Sequence, residues 1–127
     1  MIAVLVAALT LAPPIIHEPF TPLPCPNHPK TTVDLEGCGE QEVLKTDRMI
    51  DARAAAIFRL LRTTRARSEF VHGEHAWLGY RRASCSAQAS VYAGGSAEPV
   101  AFITCEGRRN RRHLSDLADT VRSLRMR

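Results

Sequence analysis

No stretch of this 127-residue chain is apolar for long enough to cross a bilayer comfortably. The best run, Ile2 to Leu11, has the length of a signal h-region rather than of a span. No Lys or Arg precedes it. No lipobox stands before Cys25, whose neighbours are Leu23 and Pro24, which argues against a lipid anchor. Pro13-Pro14 and the Pro-rich stretch to Pro29 interrupt any helix. Residues 1–24 therefore read as leader plus Pro-rich segment and 25–127 as the folded domain, with the cleavage point left open. The expected location is secreted or periplasmic, with no stable membrane span in the mature chain.

Catalytic signatures are equally scarce. His72-Gly-Glu-His75 places two histidines at i, i+3, not at the i, i+4 spacing of an H-E-x-x-H zinc helix, and reads as a solvated helix face. The serines lack a nucleophile elbow, and no two cysteines stand in a C-x-x-C pair. The expectation is a non-enzyme without cofactor or resident metal.

What is present is a cysteine framework. Cys25, Cys38, Cys85 and Cys105 allow three pairings. Cys85 lies eight residues before the Gly94-Gly95 turn and Cys105 eight after Ala97, so each sits about 12 Å from the bend of a helical hairpin. Thiols at equal height can bond. This favours the local pairing, Cys25–Cys38 and Cys85–Cys105, and an oxidising compartment. The competing reading is a zinc site at Cys25, His28, Cys38 and one further ligand, though no second close pair follows.

Hydrophobic period supplies the helices. Thr31 and Asp34 resemble a capping box. Val43, Asp47, Ile50, Ala54, Ile57 and Leu61 then form one stripe. Thr63 to Arg67 is read as a turn and Ser68 as the N-cap of a second helix. That helix has the stripe Val71, Glu74, Leu78, Arg81, Cys85 and Ala89. Gly94-Gly95 end it, and Ser96 is the expected cap of a third, striped by Val100, Ile103, Gly107, Asn110, Leu114, Leu117, Val121 and Leu124. The fold class is all-α, a small antiparallel three-helix bundle stapled by two disulfides. Cys105 points away from the Ile103–Gly107 stripe. Either it faces the second helix while the stripe faces the first, or the third helix starts later.

Three charges fall on apolar stripes: Asp47, Glu74 and Arg81. Buried charges persist only when paired, so Arg81 is expected to bond Asp47 or Glu74. Arg108, Arg109, Arg111 and Arg112 flank the third stripe and read as its solvent face. From Cys25 onward 17 basic residues face 12 acidic ones, a formal charge of +5. Outside the cytoplasm that balance suggests anionic glycopolymer or lipid headgroups, not nucleic acid.

Several of these residues carry a family resemblance. The first cysteine pair, Asp47 followed by an apolar residue, W-L-x-Y-R from Trp77, Cys85, Y-x-G-G-S from Tyr92 and Cys105 together resemble the LprI-like lysozyme inhibitors, over Cys25 to about Leu124. The resemblance implies a disulfide-stabilised helical envelope protein without catalytic activity, some relatives of which inhibit lysozyme. The chain departs from the family pattern at Ile50, Glu74, Arg82, Asn110 and His113, which alters polar partners more than the core. The expected function is binding of a cell-wall-cleaving lysozyme. Trp77, Tyr80 and Arg81, with the turn Gly94, Gly95 and Ser96, are the candidate binding residues, aromatic anchors being typical of such contacts. A +5 domain would be repelled by a cationic lysozyme, but Asp34, Glu36, Glu40 and Glu42 offer one acidic patch to a basic rim. The alternative is a non-catalytic envelope adaptor that binds cell-wall polymer or another protein through the Arg-rich face.

Overall fold

A computed structural model describes residues 11–127. Apart from Leu11, the apolar run read as a leader lies outside the described residues. Three long helices make up the domain: α1 (Thr32–Leu60), α2 (Thr64–Ala89) and α3 (Ala97–Arg125), with a 3₁₀ turn at Ser90–Tyr92. There is no strand among the described residues.

Their directions follow from who meets whom. Gly39 abuts Ile103, Gly107 faces Val43, and Asn110 bonds Thr46, a constant offset along both helices. α1 and α3 are therefore parallel. Cys85 joins Cys105 and Glu74 bonds His113, so α2 runs antiparallel to α3. The order is up, down, up.

The start of α1 follows its sequence. Thr31 Oγ1 accepts from the Asp34 amide at 3.0 Å, while the Asp34 carboxylate accepts from the Lys30 and Thr31 amides at 3.0 and 3.3 Å. Those two backbone bonds hold the Asp34 carboxyl below its ordinary pKa. The start of α2 differs from expectation. Thr63, not Ser68, is the cap, accepting from the Ala66 amide at 3.1 Å, and Arg65 and Arg67 are already helical. Arg67 Nε spans the corner by donating to the Phe58 and Leu61 carbonyls, so this connection needs few residues. At the second connection Gly94 has φ +82, the left-handed conformation that favours glycine. Ser96 occupies the N-cap position of α3 but makes no side-chain cap bond; the Glu98 carboxylate instead accepts from the Gly94 amide at 2.9 Å.

Both disulfides have the local pairing, Cys25–Cys38 and Cys85–Cys105. With both cysteines consumed, the zinc reading at Cys25, His28 and Cys38 falls. Cys105 faces α2 while Ile103 and Gly107 face α1, which settles the ambiguity of the third stripe.

Toward the α1–α2 corner the core is apolar. Ile50, Ile57 and Leu117 are buried together, ringed by Leu61, Phe70, Leu114, Val121 and Leu124. Each such side chain contributes about 1.5–3 kcal/mol through removal from water.

The chain before α1 also packs. It runs antiparallel to α1: the Ile16 amide donates to Asp51 at 3.1 Å, the Leu23 amide to Glu40 at 3.0 Å, and Gln41 donates to the Leu23 carbonyl. Gly37 permits the close approach, since a Cβ there would overlap the Pro24 carbonyl oxygen. Residues Ile16 to Pro24, read from sequence as the tail of the leader segment, thus lie against the bundle.

Candidate functional site

Arg81 projects from the buried face of α2 into a space where α1, α3 and the N-terminal segment all present polar atoms. Its Nη1 donates to Asp47 Oδ1 at 2.8 Å and Asn110 Oδ1 at 2.9 Å, and Nη2 donates to Glu18 Oε1 at 2.6 Å. Nε stands 3.0 Å from Glu106 Oε2 but is misaligned for a hydrogen bond. Asn110 Nδ2 then donates to Thr46 Oγ1 and Asp47 Oδ1, which ties α3 to α1.

One guanidinium therefore faces three carboxylates, all nearly out of water. Burial opposes the Arg81 charge, yet Glu106, Glu18 and Asp47 together outweigh it and raise its pKa further. The excess negative charge has to be relieved elsewhere. Burial pushes Glu18 up to about 7, helped by the neighbouring Asp47 carboxylate and opposed by Arg81. Glu106 is also raised by burial. Asp47 Oδ2 and Glu106 Oε1 are buried without a donor, so a proton retained in this cluster has acceptors waiting.

Two turns back along α2, Glu74 pairs with His113 Nε2 at 2.9 Å. The His113 ring stacks on Trp77 at 3.8 Å between centroids and 9° between planes, and Trp77 in turn lies 5.6 Å from the Arg81 guanidinium. Three of the departures from the family pattern, Glu74, Asn110 and His113, thus sit in one connected polar interior. Glu74 and His113 are each other's partners.

The candidate binding residues do not form one patch. Arg81 is inside, 5% exposed, and bonds Asp47 but not Glu74. Trp77 is half-buried between His113 and Arg81. Tyr80 is exposed on the flank of α2, with the Arg109 guanidinium 5.4 Å from its ring. Gly94, Gly95 and Ser96 are exposed at the end of the bundle, where Val91 (78%) and Tyr92 (51%) stand beside them. Tyr92 is the aromatic residue that accompanies the turn, about 18 Å along the helix from Tyr80. Arg111 and Arg112 are solvent-facing, as their spacing indicated, whereas Arg108 bonds Gln88 across the hairpin.

Glu18, Glu106 and Asn110 escaped the sequence reading as partners of Arg81. A signal for two of them exists: Glu106, Asn110 and His113 stand at spacings of four and three, a polar row that meets the apolar stripe at Asn110. No group of His, Cys, Asp and Glu among the described residues is arranged to hold a metal ion.

Fold and site together define a three-helix module held by two disulfides and a buried four-membered charge cluster. The chain belongs to the LprI family, whose description, "Lysozyme inhibitor LprI", attaches to a match over residues 25–117. No curated protein and no solved structure matches the chain.

Proposed function

We propose that the protein is a non-catalytic inhibitor that acts outside the cytoplasm by binding a cell-wall-cleaving lysozyme. The observation that carries this reading is the family match over residues 25–117, which spans all four cysteines and most of the three helices. Two disulfides fit the oxidising compartments in which such bonds persist, and no helix of the described residues is long and apolar enough to cross a membrane. Processing upstream of Ile16 belongs to this reading, because Ile16, Glu18 and Leu23 bond to the helices. In this scheme the crosslinked hairpin presents Gly94, Gly95 and Ser96, with Tyr92 as the adjacent anchor, and Tyr80 contributes from the flank. Trp77 and Arg81 act indirectly, by fixing α2 against α3.

The test is lysozyme-driven lysis of bacterial cell walls, followed by turbidity with purified, oxidised protein. Slower clearing at micromolar protein is expected; unchanged clearing rejects inhibition. The adaptor reading keeps one specific support, the exposure of Arg111 and Arg112 on α3. It requires salt-sensitive retention on isolated cell-wall material, and flow-through at low salt rejects it.

A further inference from the structure

Acidic and basic residues are segregated along the bundle axis. Residues 25–44 and 83–107, which come together at the end carrying both disulfides, hold six carboxylates and one basic residue, Lys30, while Arg108 reaches in from beside them to bond Gln88. Residues 45–82 and 108–127 hold sixteen Lys or Arg against six carboxylates. A 29-residue helix such as α1 spans about 43 Å, several times the screening length of about 8 Å at physiological salt. A partner nearing one end therefore does not sense the net charge of the whole. The +5 total is no obstacle to a cationic partner at the acidic end.

Favourable helix dipoles account for part of this segregation, since Asp34 and Glu98 sit in the first turns of α1 and α3. They do not account for α2. A helix C-terminus favours Lys or Arg, yet the last turn of α2 carries none. The same end holds an open groove of about 430 Å³. Phe20, Pro99, Phe102 and Ile103 give it apolar walls, and three carboxylates line it too: Glu36 and Glu98, both half-buried, and Glu40, buried and accepting from the Leu23 amide. A long basic side chain is amphipathic in just this sense: its stem covers apolar surface while its head seeks carboxylate. The Glu98 side chain also bonds Gly94, so the groove is continuous with the exposed turn.

We infer that this acidic groove, together with the Gly94–Ser96 turn, is the surface that receives a basic side chain from the rim of a cationic lysozyme. The inference rests on the proposed function and assigns its surface. Complementary charge at a rim acts mainly on association rate and salt dependence.

The experiment measures binding of a cationic lysozyme to the oxidised full chain and to two variant pairs, at low and physiological salt. Glu36→Lys with Glu98→Lys should weaken binding at least tenfold and flatten its salt dependence. Arg62→Glu with Arg65→Glu, at the opposite end, should change it less than twofold. Glu36→Gln with Glu98→Gln, a milder pair, should weaken it about threefold while leaving the helical circular dichroism unchanged, which covers misfolding of the charge reversal. If the parent binds and inhibits but the acidic-end pairs bind equally well, the surface assignment is overturned and the inhibitor reading stands. If the parent neither binds nor inhibits, both fall.

Discussion

Near the α1–α2 corner the three helices meet over Ile50, Ile57 and Leu117, with Leu114 and Val121 alongside and no covalent tie. Toward the Gly94 turn the same helices meet over Glu40, Asp47, Arg81, Glu106 and Asn110, and both disulfides lie there. The difference shows two ways of holding one bundle. Apolar side chains release water and stabilise directly. A buried ion cluster largely offsets its own desolvation, so it adds little net stability while demanding one arrangement of its members. Crosslinks constrain the unfolded chain where the apolar core is thin. The covalently held end is also the end proposed to meet lysozyme.

The largest expected effect comes from removing the cation of the polar half. Arg81→Leu strands three buried carboxylates and should cost about 3–5 kcal/mol in urea unfolding at neutral pH. A cost below about 1 kcal/mol would show that the cluster is hydrated. In the apolar half, Ile57→Ala should cost about 2–5 kcal/mol, because the residue is fully buried and leaves a cavity. Replacing Cys85 and Cys105 together by Ser should cost about 2–4 kcal/mol. Amide exchange should quicken over residues 83–107 well before residues 54–60; uniform quickening would erase the contrast between halves.

A pH dependence sharpens it further. Glu18 titrates near 7 in the folded protein against 4.5 ordinarily, so folding favours its protonated form. Its contribution to stability is greatest below pH 4.5, is lost as pH rises toward 7, and is constant above. Melting temperature measured from pH 4.5 to 8 should therefore fall more steeply for the parent than for Glu18→Gln. Parallel curves would place Glu18 in solvent. The smallest effect is at the cap: Thr31→Ala should cost about 1 kcal/mol, and no change in melting would contradict the capping geometry.

The cysteine pairing, the three helices and the pairing of Arg81 with Asp47 or Glu74, which the structure resolves to Asp47, were legible because each has a local rule behind it: hairpin height, a 3.6-residue period, and the requirement that a buried charge be paired. The segment from Ile16 to Pro24 was not. An extended strand of chain without alternation carries no periodic mark, and its proline content beside an apolar run reads as a leader. Glu18 went with it. Glu106 and His113 were hidden for another reason: apolar periodicity finds faces that bury hydrocarbon, and this interior face is polar. The α2 boundary moved because the residues from Thr64 to Arg67 have little apolar content, while Thr63 caps and Arg67 closes the corner.

The most direct test of the account is amide hydrogen exchange of the oxidised protein with and without a cationic lysozyme. Slowed exchange confined to residues 31–44 and 86–102 is the predicted result. Slowed exchange centred on residues 57–66 and 111–125, or no change at a concentration that blocks lysis, would contradict it.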